Sequence, residues 1–596
     1  MGGVPIHQPA DPSSNEGRLD SWKDIASYLK RSVPTVQRWE KEEGLPVHRH
    51  LHKKQGSIYA YRQELDAWLE QRRLTTGRID EPEELSDVPQ VEPEVPRARR
   101  WKLWALLGIT AIAVAAGAVL LLRSRSQTAG PAHRIMIAVL PFQNLGGGAD
   151  LDYVCDGLTE ELITELAALD PNRLGIIART SSMVYKGGGA RVREIGKELG
   201  VEYLVEGSVL FAQRKSRVTV QLIRVADQSH VWAHTYDTKI DSLFDVEQEI
   251  SRAVAEDVNV HVSSPRVRPG ARMSSDPEAY RLYLQGRELW RRRSKDALEQ
   301  SVALYGQAIA KDPKFAPLYS ALADSYNQLG YLGFRPLGIA IPKAQDAARH
   351  ALELDPQSAD ANAALGFINA MWLWDWKEAE NHYRRALELD PNNASAHHYY
   401  ALYLASADRL REANEQMAIA QQLDPLEPSV NSGSAYVLYF SRQYEKSIAF
   451  CQGALQRDQG FAIAHELLGW NYLQMKRYPE AIAELKHAIE LAPESTLYLA
   501  QLGRAYTLDG QSGEAKQVIG QLDVLSKGKW VGGSAQAIIY AARDDRDEAI
   551  RWLNVAAKQE DGYLLWLKVS PEFDPLRDDP RFQQIVAQIG LPPSSQ

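Results

Sequence analysis

The chain has 596 residues, 44% of them apolar, a formal net charge of −9 and two cysteines. That length exceeds what one hydrophobic core organises, so three or four domains are expected. Cys155 and Cys451 are too few for a disulfide framework or a four-cysteine zinc site, and the acidic balance makes local charge the informative quantity.

Residues 1–17 contain proline, glycine and serine with little apolar content and are expected to be disordered. In SWKDIASYLKRS, Trp22, Ile25, Ala26 and Leu29 fall on one helical face. Ser32 then serves as an N-cap, with Pro34 in the first turn of a second helix that buries Val36 and Trp39. A basic hairpin follows, His48 to Lys54 and Ser57 to Tyr61 around Gln55-Gly56, and then a helix that buries Leu65 and Trp68. From Arg18 to Arg73 there are twelve Lys/Arg against eight Asp/Glu, a net positive module in an acidic protein. Two short helices joined by a tight turn predict a helix-turn-helix whose second helix enters the major groove. The pattern A-x2-L-x2-S-x2-TV-x-RWE-x3-GLP-x-HR, followed by Y-x-Y-x3-ELDAWL, resembles the excisionase/MerR-like winged helix-turn-helix family across residues 18–73, within a domain expected over 18–77. The resemblance implies DNA contacts from Thr35, Gln37, Arg38 and Lys41 on the helix, and from Arg49, Lys53 and Lys54 on the wing. Arg and Gln read base edges, whereas Lys mainly neutralises phosphate. His48, His50 and His52 alternate along the wing without a cysteine or carboxylate at ligand spacing, so solvated histidines are expected there.

Residues 78–100 form an acidic, proline-rich linker, with seven acidic residues and four prolines between Ile79 and Pro96. Twenty uncharged residues follow, Leu103 to Leu122, inside a predicted transmembrane helix over 101–123. Arg97, Arg99, Arg100 and Lys102 precede the run, and only Arg123 and Arg125 lie close behind it. The positive-inside rule then places the N-terminus in the cytoplasm and the C-terminal region outside it, in a single-pass inner-membrane topology.

Between 134 and 262 strands and helices alternate, which predicts an α/β domain. Strands are expected at 135–142, 174–180, 203–212 and within 218–237, with helices at 157–169, 192–200 and about 243–258. The motifs VLPFQNL, GLTEELI, ARTSS, GVEYLVEGSV and LFDVEQEI in this order resemble a family related to the TolB N-terminal domain. LGGGAD and KGGGAR lack phosphate-cradle spacing. Cys155 stands beside Asp152 and Asp156, whose charge disfavours a thiolate. His230 and His234 are expected on one strand face without a partner. No catalytic constellation, cofactor or metal is therefore expected, and the chain is not read as an enzyme.

From 276 to 590 the chain repeats. Pro313, Pro356, Pro391 and Pro425, then Gln459 in a proline's place, then Pro493, recur at intervals of 43, 35, 34, 34 and 34 residues. The period is that of the tetratricopeptide repeat. Gly366, Ala401, Ala435, Gly469 and Gly503 early in the repeats, and Ala386, Ala420, Ala454 and Ala488 late in them, mark close helix contacts. HELLGWNYLQMKRYPEAIAELKHAIELAP is nearly a consensus unit, and 276–560 is identified as a member of the tetratricopeptide family, closed by a capping helix. The first helices are expected to line a concave partner-binding groove of Phe367, Leu402, Tyr436, Trp470 and Arg504, with Tyr439 and Leu473 one turn further along.

The fold class is thus multidomain: a small winged helix-turn-helix, one transmembrane helix, an α/β domain and an all-α tetratricopeptide solenoid. The layout resembles ToxR/CadC-type membrane regulators. It implies a one-component transcription regulator with duplex DNA on its cytoplasmic side and a protein or peptide partner on the array. A homodimer is expected because one helix reports little except association or rotation, and Ala113 and Gly117 provide a small-xxx-small pair. The alternative is a cell-envelope scaffold or accessory protein that mediates protein–protein interactions without binding DNA.

Overall fold

The structure is a computed structural model. It describes residues 18–49, 58–76, 134–258 apart from 147, 149, 150, 190, 213, 214 and 240–244, and 274–591 apart from 275, 333, 494, 529 and 530. The expected N-terminal disorder, the linker and the Leu103–Leu122 run lie outside the described residues. Among the described residues no helix is long and apolar enough to cross a membrane. The chain divides into two compact units, Met1–Ser124 and Arg125–Gln596.

In the first unit β1 (Arg18–Leu19) leads to α1 (Trp22–Tyr28) and α2 (Val33–Glu42). β2 (His48–Arg49), β3 (Ile58–Tyr61) and α3 (Arg62–Thr76) follow. The strands form an antiparallel sheet in the order β1-β3-β2. The Ser21 side chain accepts from the Asp24 N–H and caps α1. Ser32 is the N-cap residue of α2, but its hydroxyl meets Thr35 Oγ1 at 2.8 Å and makes no cap bond to the backbone. The apolar faces expected from spacing converge: Ile25, Ala26, Leu29, Val36, Trp39 and Leu65 are buried together, with Trp22 and Trp68 packed at the edge.

The second unit opens with a mixed sheet. Its strands are β4 (Ile135–Val139), β5 (Gln143–Asn144), β6 (Leu174–Ile176), β7 (Tyr203–Ala212), β8 (Lys215–Arg224) and β9 (Ser229–Lys239). The order is β6-β4-β7-β8-β9, with β5 paired to β7. β4 runs parallel to β6 and β7, and β7–β8–β9 is an antiparallel meander. The parallel pairs need helical crossovers, which α4 (Asp152–Leu169) and α6 (Val192–Leu199) supply, while α5 (Arg179–Ser182) is a single short turn after β6. α4 and α7 (Asp245–Asp257) share one core with the sheet, and α6 packs in a second core with Ala138, Ile177 and Leu204. A bulge shifts the β8–β9 register, so His230 stands opposite Ile223 and His234 opposite Val220. Those partners are three residues apart on β8, which places the two histidines on opposite faces rather than the single face expected from their spacing.

Sixteen described helices, from Pro277–Arg291 to Arg546–Lys558, then stack as eight antiparallel pairs. The pairing follows from the small residues read in the sequence. A Cβ at Gly366 would lie 2.8 Å from the Tyr383 ring, and one at Gly469 would lie 2.6 Å from Leu485. Ala386, Ala401, Ala420, Ala435, Ala454 and Ala488 are buried at the same contacts. Successive first helices of the pairs pack on one another and form the inner layer. The long first proline interval is absorbed by longer helices, Ala316–Tyr331 and Leu337–Leu354, against the 13–14 residues of later repeats such as Ala462–Gln474 and Tyr478–Leu491. After the last pair the chain turns back through two 3-10 segments, Gly562–Trp566 and Pro571–Leu576, and ends in the helix Pro580–Ile589.

Candidate functional site

α2 buries Val36 and Trp39 and leaves Arg38 and Lys41 exposed, with Thr35 and Gln37 half-buried beside them. The 3.6-residue period therefore separates a packing face from a face of cation and amide side chains. Arg49 on β2 is exposed and its Nη2 lies 2.7 Å from Glu40 Oε1, an ion pair that a phosphate has to displace. Lys53 and Lys54 lie outside the described residues, as do His50 and His52. His48 Nε2 lies 2.7 Å from Glu64 Oε2 and its ring stacks on Tyr59, which gives this wing histidine a structural setting.

The expected groove is filled. Phe367, Tyr439, Trp470 and Leu473 are buried, and Arg504 is 5% exposed. Leu402 and Tyr436 are partly buried against the same core. The column does face inward, but the returning segment 562–576 covers its C-terminal half. Trp566 stacks on Phe440 at 4.7 Å, and Tyr563 meets Trp470 edge-on at 6.2 Å. Tyr439 donates to Glu572 at 3.0 Å, and Arg504 Nη1 lies 3.8 Å from the same carboxylate. The cation placed at the groove's end thus neutralises a buried glutamate of its own chain, and burial of the rings replaces an open apolar floor.

The N-terminal half of the concave face holds the α/β domain. The motif ARTSS reaches the repeat motif LDP: Ser181 Oγ donates to Asp424 Oδ1 at 2.5 Å, and the Thr180 hydroxyl donates to Oδ2. Ser181 Oγ also accepts from the Leu426 N–H at 2.9 Å, and the Ala178 N–H donates to the Leu423 carbonyl at 2.7 Å. Leu426 completes the core that contains Leu140 and Ile177. On α4, Glu160 pairs with Arg287 of the first solenoid helix and lies 3.4 Å from Arg179. Asn392 Nδ2 donates to the Ala167 carbonyl at 3.1 Å, and Arg457 Nη2 reaches Glu198 at 3.3 Å. Sequence reasoning missed these residues. The signal available was that ARTSS and LDP were both singled out as motifs, each with hydroxyls or a carboxylate and no assigned partner.

Between the domains lies a cavity of about 230 Å³, walled by α4, by residues 178–180 and by the first helices of the first five repeats. Its rim carries Glu160, Asp324, Asp360, Asp390, Asp424 and Glu427 against two cations, Arg179 and Arg287, both of which face Glu160. Burial pushes the Asp324 carboxyl up to about 7, with Arg293 and Arg287 opposing and Asp360 reinforcing. Burial raises the Asp424 carboxyl as well, with Glu427 adding to it and the Ser181 and Thr180 hydroxyls pulling back. Burial lowers His398 to about 3, so its imidazole is neutral. Burial also pushes the Cys155 thiol up to about 12, with Asp156 and Asp152 adding to the effect, and burial raises Cys451. Neither thiol is placed as a nucleophile.

A family model for the second domain of HilA/YgeH-like transcriptional regulators matches residues 133–253. A tetratricopeptide-repeat model matches residues 462–495. The α/β match is thus to that regulator domain and not to the TolB N-terminal-like family. Motifs such as VLPFQNL and GLTEELI report an apolar strand and an amphipathic helix, which α/β domains share, and they do not separate one family from another. The curated "Putative adenylate cyclase 3" of Rhizobium meliloti is 31% identical over 251 residues, 41% of this chain and 42% of that protein. The chain therefore spans about two fifths of that relative's length. Among solved structures the chain is similar to Pseudomonas aeruginosa pilF, at 25% identity, over 35% of this chain and 93% of that chain with a TM-score of 0.27. It is also similar to yeast Tom70, at 17% identity, over 59% of this chain and 77% of that chain with a TM-score of 0.32. The chain thus carries a domain similar to the second domain of HilA/YgeH-like transcriptional regulators, joined to a tetratricopeptide array.

Proposed function

We propose that the protein is a membrane-anchored, one-component transcription regulator, not an enzyme. Residues 18–77 act as a winged helix-turn-helix that binds duplex DNA, and the Leu103–Leu122 run anchors the chain in the inner membrane. The α/β domain and array then sense or bind a partner on the far side, and pairing of two copies carries the signal across. The observation that supports this reading most is the regulator-domain match at 133–253 in a chain that also presents Arg38 and Lys41 on the exposed side of α2. A module of this charge gains affinity from phosphate neutralisation and sequence preference from the few side chains that reach base edges.

Two measurements test it. Arg38→Ala is expected to weaken specific duplex binding by about 1–3 kcal/mol and relax preference at one base pair, while Lys41→Ala weakens all sequences alike and lowers the salt slope by about one. A folded protein that shows no duplex binding at low salt sinks the regulator reading and favours the scaffold. A reporter active only outside the cytoplasm is expected to work when fused after Gln127 and to be silent when fused after Thr76. The reverse pattern removes both the topology and the DNA hypothesis.

A further inference from the structure

One of the repeat turns is built differently from its sisters. Asp312, Asp355, Asp390 and Asp458 each accept, through Oδ1, the backbone N–H two residues further on. The donors are Lys314 at 3.1 Å, Gln357 at 3.0 Å, Asn392 at 3.1 Å and Gly460 at 2.9 Å. Each of these turns is closed by its own carboxylate. In the turn of Asp424 the Leu426 N–H donates instead to Ser181 Oγ at 2.9 Å, and that hydroxyl donates to Asp424 Oδ1 at 2.5 Å. A serine of the α/β domain is thus inserted between the two groups that bond directly in the sister turns. A hydroxyl on such an aspartate need not insert: Ser274 donates to Asp312 Oδ2 at 2.7 Å and leaves the bond from Lys314 in place. The Asp424 turn therefore has a second arrangement open to it, with the Leu426 N–H on its own carboxylate and its backbone satisfied without the α/β domain.

The rest of the junction is also imperfectly matched. Glu160 Oε2 and Arg179 Nε on the domain side, and Trp290 Nε1 and Asn392 Oδ1 on the array side, have no hydrogen-bond partner among the described residues. All four residues line the cavity between the domain and the array. Such atoms are costly while dry and are hydrated when the two surfaces part. The C-terminal half of the concave face is closed in another way, by the wholly buried Leu564, Leu567 and Phe573 of the returning segment. We propose that the ARTSS segment and the Asp424 turn form a releasable latch. In the released form the α/β domain leaves the first five repeats as a folded unit, and the Asp424 turn closes onto the Leu426 N–H as its four sisters do. The docked form keeps that half of the concave face covered and is the resting state. The latch is independent of whether the N-terminal module binds DNA.

Native-state hydrogen exchange of the intact protein, resolved by residue in rising sub-denaturing urea, tests this. The Ala178 N–H, bonded across the junction to the Leu423 carbonyl at 2.7 Å, reports release. Amides of β7 and of the helix Tyr444–Arg457 report unfolding of the domain and of the array. Protection of Ala178 is expected to be about 100-fold lower than that of either set, because release is a sub-global opening. Protection of the Leu426 N–H is expected to exceed that of Ala178 about ten-fold, because the released turn bonds it again. In Ser181→Ala, Ala178 is expected to lose about ten-fold more protection while Leu426 keeps its own, Asp424 accepting it directly. The β7 amides report whether that variant is folded, and the wild-type comparison stands without it. An Ala178 amide that exchanges only together with β7 rules out release. A Leu426 amide that exchanges together with Ala178, in wild type or in Ser181→Ala, rules out the second arrangement, and either result overturns the proposal.

Discussion

Truncation of Trp470 to alanine is expected to destabilise the array by about 3–5 kcal/mol, the range for emptying a large aromatic site. The side chain is 1% exposed and is among the largest fully buried ones in the protein. Its ring meets Tyr439 at 5.5 Å, Tyr436 at 5.7 Å and Tyr563 at 6.2 Å, so it joins two successive repeats to the returning C-terminal segment. Its Nε1 has no hydrogen-bond partner among the described residues, so the truncation removes packing and no polar contact seen there. Trp470→Phe, which keeps most of the contact, is expected to cost less than half as much. Denaturant unfolding of the two variants measures both. A loss below about 1 kcal/mol for the alanine variant would mean that this side chain faces an open groove after all.

The same residue shows how far the sequence could be read. Counting through a 34-residue period correctly placed Trp470, Tyr436 and Phe367 on the inner helices, because local spacing determines which side of a helix a residue occupies. What covers that side is a matter of contacts between distant segments: Tyr439 bonds Glu572 across 133 residues, and Ser181 bonds Asp424 across 243. No periodicity encodes such pairs. The turns inside the repeats were illegible for another reason. Trp374, Asp408, Arg442, Lys476, Gly510 and Asp544 all have φ between +53° and +79° at strict 34-residue intervals. Only one of the six is glycine, the residue that ordinarily marks a left-handed turn in sequence. In the first unit the hydrophobic spacing of Ile25, Leu29, Val36, Trp39 and Leu65 was sufficient, since its core is built from neighbouring elements. Arg49, assigned to DNA by the resemblance of its wing, has an ion pair with Glu40 of a helix that lies nine residues upstream.

Asp424→Ala is expected to uncouple the α/β domain from the solenoid. The carboxylate accepts from the Ser181 and Thr180 hydroxyls, and hydrogen bonds to a charged group are worth about 1.5–3 kcal/mol each. The methyl group of alanine leaves both hydroxyls without that acceptor inside a junction whose apolar contacts include Leu426 against the Ile177 core and Tyr153 against the first solenoid helices. A net loss of about 3 kcal/mol is expected, because the two bonds share one acceptor and do not add fully. Calorimetric melting of the wild-type second unit is expected to give one transition and the alanine variant two, with the α/β domain unfolding apart from the array. Asp424→Asn retains one acceptor oxygen and is expected to keep the single transition while changing its pH dependence. Burial and the nearby Glu427 hold the wild-type carboxyl above its ordinary range, so the folded unit binds that proton more tightly than the unfolded chain does. Stability from this group is therefore full below the ordinary carboxylate range and is lost as pH rises through the elevated value. Arg291, Ser181 and Thr180 limit the size of that slope without reversing it. A single unshifted transition in Asp424→Ala, or the same pH slope in wild type and Asp424→Asn, would show that the ARTSS–LDP contact does not hold the two domains together.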